Sequence, residues 1–259
     1  FAKELPALPQ PETPDGQEPK PAQPDYESAL KKARDVIGPL LVKGAELSPA
    51  SGADYRTVAL GMIKADEMTN GGAYKNELIK AFLDRHIIDP EDLEPKRDMP
   101  EVKLDTPLTD KQAALDFLKQ NAEKMGVDAS AYTDANIIKN NRGETIVEFE
   151  GSKEVPLKQH GIYQVAGADD VYADVYGGLT LAFDAVGKLV SQMEDPITPE
   201  KISSVVSQIN NAKDEDLIRM TPIYKGDNLF KSKNVPYTGE VYQEPSGKMK
   251  VRRIPIAVD

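Results

Sequence analysis

Apolar residues recur every three or four positions from Asp25 to about Leu93, and again from Thr109 to Met125. From Ile146 onward they recur every second position. The first spacing puts one apolar stripe on a helix and the second puts one apolar face on a strand. The chain is thereby restricted to folds that cover a sheet with helices. A run of helices, then hairpins lying between two further helices, predicts an α+β protein. Its parts would be a small N-terminal helical subdomain and an antiparallel sheet packed with helices.

Punctuation along the 259 residues divides that pattern into segments. Residues 1–24 hold seven of the twenty prolines, alternating with Glu, Gln and Lys. Proline fixes φ and donates no hydrogen bond, so this stretch is expected to be an extended, disordered tether. Residues 25–94 are expected to form the helical subdomain. Its first helix carries Leu30, Ala33, Ile37, Leu40 and Leu41, with Asp25 as cap and a kink or split at Gly38-Pro39. A second helix, about Ala53 to Met68, would bury Tyr55, Val58, Ala59, Met62 and Ile63. A third, about Ala73 to His86, would bury Tyr74, Leu78, Ile79, Phe82 and Leu83. Residues 95–108 read as a linker.

Residues 109–220 are the expected α+β domain. Thr109 and Gln112 would box the start of a helix that Gly126 ends. Ile146–Glu150, Val171–Val175 and Leu179–Phe183 read as strands, with Gly177-Gly178 and Asp184-Ala185-Val186-Gly187 as turns. Thr198-Pro199-Glu200 opens a last helix with Ile202, Val205, Val206 and Ile209 in one stripe. Residues 221–259 form a basic C-terminal segment with a hairpin, in which Glu244-Pro245-Ser246-Gly247 joins Val241-Tyr242-Gln243 to Met249-Lys250-Val251.

Composition excludes several chemistries. There is no cysteine, hence no disulfide, thiol nucleophile or zinc ribbon, and the two histidines, His86 and His160, cannot supply a three-histidine centre. A net charge of −11 argues against nucleic-acid binding. No stretch approaches the roughly 20 apolar residues of a membrane span. The chain starts at Phe1 rather than Met, which suggests that a leading segment was removed; a signal peptide or a lipid-anchoring cysteine would lie upstream of it. Absence of cysteine and of any Asn-x-Ser/Thr acceptor fits a bacterial extracytoplasmic protein, secreted or anchored at the cell surface.

The segments VPLKQHGIYQV and VYADVYGGLTLAFDAVGKLV follow a helix and a strand. In that order they resemble the PepSY class and the propeptide modules of secreted thermolysin- and fungalysin-type peptidases, over about residues 109–192. The matching residues are Gln159, Gly161, Val175, Tyr176, Gly177, Phe183, Asp184, Gly187, Lys188 and Leu189. The resemblance implies a non-catalytic extracytoplasmic module that binds or restrains another protein.

Three groups of residues are candidate sites. The segment from Thr221 to Asp259 carries seven basic against four acidic side chains, a net +3 that leaves −14 for the rest. Lys248, Lys250, Arg252, Arg253 and Tyr242 are therefore the expected partner-binding residues, with charges on an edge hairpin that keep it soluble as the plainer reading. Asp169, Asp170 and Asp174 form an acidic loop of hard oxygen ligands that suits Ca²⁺, although the calcium-loop pattern is absent. Ser28 and Lys31 have the spacing of serine acyl enzymes without the companion motifs, and His160 has no nucleophile placed beside it. No cofactor is implied. The expected function is binding of a protein partner or self-association, not catalysis. The alternatives are a structural subunit of a surface assembly, or a carboxylate-based hydrolase.

Overall fold

The computed structural model describes residues 26–94, 99–215, 218–220 and 239–253. The Pro-rich segment 1–24, Asp25 and residues 221–238 lie outside them. The chain is an α+β protein built on a mixed seven-stranded sheet. Helices α1 (Tyr26–Leu47), α2 (Tyr55–Asn70) and α3 (Lys75–Leu83) come first, followed by a short 3₁₀ turn at Pro90–Leu93. Then come α4 (Lys111–Met125) and strands β1 (Asp134–Lys139) and β2 (Thr145–Pro156). A 3₁₀ turn at Leu157–His160 leads to a two-residue ribbon, β3 (Gln164–Val165) and β4 (Ala168–Asp169). The remaining elements are β5 (Val171–Phe183), β6 (Leu189–Asp195), α5 (Pro199–Asp214), β7 (Ile218–Met220), β8 (Gly239–Gln243) and β9 (Met249–Arg253).

Strand order is β1-β2-β5-β9-β8-β7, and β6 pairs with the C-terminal half of β5. The sheet is not purely antiparallel as expected. β9 runs parallel to β5, and β7 parallel to β8. The C-terminal hairpin slots in beside the N-terminal half of β5, where β6 does not reach, and so lies inside the sheet with β7 beyond it.

β5 organises everything else. It pairs with β2 at every position from Tyr172 to Phe183 without a break. Gly177-Gly178 was expected to be a turn, yet both lie inside this one strand of 13 residues. The glycines serve close approach instead of reversal. A Cβ on Gly178 would lie 2.5 Å from the backbone nitrogen of Ser51 in the α1–α2 loop, and one on Gly177 would lie 2.8 Å from Ile197.

Side chains alternate across β5, so each half of the strand has its own pair of surroundings. In the C-terminal half, Leu179, Leu181 and Phe183 pack with Val147 and Phe149 against Ala114, Leu118 and Met125 of α4. The other face of that half carries Ala182 and, from β2, Ile146; these join Leu40, Leu47, Ala59, Met62 and Ile63 of α1 and α2. The helices of the N-terminal region thus share their core with the sheet. In the N-terminal half, Val171 and Ala173 pack with Val241, Val251 and Ile218 under Val205, Val206 and Ile209 of α5.

Local rules account for most helix ends. Asp54 accepts from the Thr57 backbone while Thr57 accepts from that of Asp54, a reciprocal cap that leaves Tyr55 in the first turn pointing outward and 88% exposed. Tyr55 is therefore not in the core stripe assigned to it. Asp110, not Thr109, caps α4 by accepting from Ala113 N at 2.9 Å. Gly126 ends α4 in the left-handed region at φ 61°. Pro39 neither ends nor splits α1; the helix runs through it, with the proline exposed and the next residue, Leu40, buried. α1 and α2 cross at near backbone contact: a Cβ on Gly61 would lie 2.3 Å from the carbonyl oxygen of Gly44.

Residues 99–108 are not a free linker. Leu189 N donates to Val102 O and Leu104 N to Gly187 O, which ties this stretch to the start of β6 and buries Val102 and Leu108. The alternation Val102, Leu104 was the available signal for that pairing.

Candidate functional site

Among the described residues, one face of the N-terminal half of β5 has no helix over it. Register alone places its residues, since directly paired residues point to the same side. Tyr172, Asp174 and Tyr176 of β5 lie opposite Pro156, Glu154 and Ser152 of β2. On the other side Tyr172 lies beside Lys250 of β9, which faces Tyr242 of β8, and Arg252 faces Glu240. The sequence signal was the run VYADVY, where small apolar residues at 171, 173 and 175 alternate with tyrosine and aspartate.

Lys250 is the centre of this face. Its side chain is 9% exposed, and its ammonium lies 2.8 Å from Glu154, 3.0 Å from both oxygens of Asp174 and 3.0 Å from Glu244. Lys248 donates to the second oxygen of Glu154 at 2.6 Å and stands 4.7 Å above the ring of Tyr172. Arg252 bonds to Glu240 and stands 4.9 Å from the ring of Tyr242. Cations over aromatic faces and carboxylates around an ammonium give a layer of mutually satisfied polar groups.

Titration follows that geometry. Hydrogen bonds from Lys248 and Lys250 pull the Glu154 carboxyl down to about 2. The bond to Glu154, outweighing the cost of burial and reinforced by Asp174 and Glu244, holds the Lys250 ammonium well above its ordinary value. Lys248 is raised by the same Glu154. A lysine used as nucleophile or base must lose its proton near neutrality, and this arrangement works the other way. Burial, then the Asp174 charge, raises the Tyr176 phenol, which is itself 55% exposed.

Of the expected partner-binding residues, Lys248, Lys250, Arg252 and Tyr242 share this face, whereas the side chain of Arg253 lies outside the described residues. They do not make a basic patch. Three cations face Glu154, Asp174, Glu240 and Glu244, so the face is close to neutral. The net +3 read from the sequence missed the acids that β2 and β5 bring to the hairpin from far along the chain.

The acidic loop is not assembled as a calcium site. Asp169 lies in the β3–β4 ribbon, Asp170 pairs with Lys158 at 3.3 Å, and Asp174 is held by Lys250. Among the described residues no group of three acidic or histidine side chains is placed to hold a metal ion. Lys31 bonds to Glu27 at 2.6 Å on the exposed part of α1, and His160 is the exposed last residue of a 3₁₀ turn. No helix among the described residues is long and apolar enough to cross a membrane. No protein family, curated protein or solved structure matches the chain.

Proposed function

We propose that this chain is a non-catalytic extracytoplasmic protein that binds or restrains a protein partner through the open half of its sheet. The observation that carries the reading is the contrast along one face of β5. From Gly178 to Ala182 that face is closed by α1, α2 and their loop, and from Tyr172 to Tyr176 it is open. Open tyrosines on a rigid strand offer large contact area at low entropic cost, which is why tyrosine and arginine are enriched at interfaces. Near-neutral charge on the face favours a partner held by shape and tyrosine contacts, with little dependence on salt. The alternative, an assembly in which a basic hairpin meets an acidic neighbour, has less to drive it once those cations are satisfied internally. The extracytoplasmic part of the proposal rests on the cysteine-free composition and the resemblance to propeptide modules.

A photo-crosslinking residue in place of Tyr176, compared with one in place of exposed Val186 in the β5–β6 turn, tests the proposal. Expected is a discrete protein adduct from position 176 that added salt does not abolish. Equal labelling from the two positions would sink the idea.

A further inference from the structure

The apolar seam of α1 is longer than the helix that covers it. Tyr26, Leu30, Ala33, Ile37, Leu40, Gly44 and Leu47 follow one another at intervals of four and three, the spacing of a coiled-coil seam. Leu40, Gly44 and Leu47 at its C-terminal end are buried against α2. Cover then fades along the same line: Ala33 and Ile37 are half-buried, while Leu30 is 70% and Tyr26 66% exposed. The reason is length. α1 has 22 residues and α2 has 16, and the two cross at Gly44 and Gly61. Counting back from that crossing, α2 ends at Asn70 roughly opposite Asp35, at the common rise of about 1.5 Å per residue. Among the described residues, the first turns of α1 therefore carry a packing stripe with nothing against it.

The flanking charges say what fits there. Residues just after the Tyr26 and Ala33 seam positions are Glu27 and Arg34. Their pairs within the helix, with Lys31 and Asp35, are solvent-exposed and so weakly held, unlike the buried pair of Lys250 with Asp174. Lys31 and Lys32 lie further round the helix from the seam. Laid antiparallel on an identical helix, the stripe brings Leu30 against Ala33 of the second copy and Tyr26 against its Ile37. The same alignment sets Glu27 beside Arg34 of the second copy, and two-fold symmetry makes that pair twice. A parallel alignment places no opposite charges together. We propose that two copies of this chain associate through the overhanging N-terminal half of α1 as an antiparallel helix pair. This continues the internal α1–α2 seam across a two-fold axis, at a surface separate from the open half of the sheet.

The test is sedimentation equilibrium of the full chain across a range of concentrations. Expected is a concentration-dependent dimer that Leu30→Glu weakens by at least tenfold, about 1.4 kcal/mol or more. Glu27→Arg and Arg34→Glu alone each put like charges together and weaken it by about tenfold; the double variant restores it. These positions are exposed, and circular dichroism checks that the fold is kept. For orientation, a mixture of Leu30→Cys and Ala33→Cys chains should form mixed disulfides faster than either variant pairs with itself. A chain that stays monomeric overturns the proposal. So does a dimer indifferent to Leu30→Glu, a double reversal no better than the singles, or preferred Leu30→Cys self-pairing.

Discussion

The two halves of β5 have the same backbone and different surroundings. The half from Leu179 to Phe183 is packed on both faces, by α4 on one side and by α1 and α2 on the other. The half from Val171 to Tyr176 is packed by α5 on one face and carries tyrosines and ion pairs on the other. A strand buried on both faces needs apolar residues at consecutive positions, and Leu179-Thr180-Leu181-Ala182-Phe183 is close to that; Thr180 is satisfied by donating to Ser48 O at 2.7 Å. A strand buried on one face alternates, as Val171-Tyr172-Ala173-Asp174-Val175-Tyr176 does. One strand thus separates close packing from exposed polar chemistry. The closed half is free to be optimised for packing because the open half carries the exposed chemistry.

The largest effect should come from breaking the closed half. Leu181→Ala removes a fully buried side chain between β5 and α4 and should cost about 2–5 kcal/mol, read by urea unfolding. Gly61→Ala should cost about 1–3 kcal/mol, because the new methyl meets the Gly44 carbonyl and the two helices must part. An unchanged midpoint for that variant would mean that the crossing has room to spare.

In the open half the expected changes are local. Lys250→Met leaves Glu154, Asp174 and Glu244 facing one another and should speed amide exchange in β8 and β9 by about tenfold, while α1 and α2 keep their protection. Acid should do the same. Glu154 has a folded pKa of about 2 against an ordinary 4.5, so its contribution is complete above about pH 4.5 and is lost as pH falls towards 2. Lys250 is raised, so its contribution is complete below its ordinary 10.5 and is lost only in strong alkali. Exchange in the hairpin followed from pH 6 to pH 2 should rise over that lower window, and Glu154→Gln should flatten the rise. The smallest effect on stability belongs to Tyr176→Ala, within about 0.5 kcal/mol of wild type, since the ring is largely exposed. If it instead unfolds the protein, the open face is structural and not a docking surface.

Much of this contrast was legible in the sequence. The stripes of α1 to α4, apart from Leu30, Leu41 and Tyr55, which are exposed, and the Thr198-Pro199 start of α5 follow from local spacing and caps, and so do the turn at Gly187 and the hairpin around Gly247. What local rules could not supply is which strands lie side by side. Gly177-Gly178 looked like a turn because glycine is read by its conformational freedom, whereas here it is used for its small size beneath Ser51. β1, whose DANIIK alternates weakly, and the strand-like stretch at Val102 and Leu104 became visible only as partners of β2 and β6. Lys248, Lys250, Arg252 and Tyr242 were expected to bind a partner because their segment is basic, and that reason does not survive packing. Their positive sum held within the segment alone and vanished once Glu154 and Asp174 were packed beside them.

A strand that serves three cores also binds their fates together. Shifting β5 by one residue against β2 would turn Leu179, Leu181 and Phe183 away from α4 and swing Val171 and Ala173 out from under α5 in the same step. Neither half can be mispaired while the other is correct. The error that most threatens a sheet protein thus carries a double penalty here, and the native alignment is proofread at both ends of one strand.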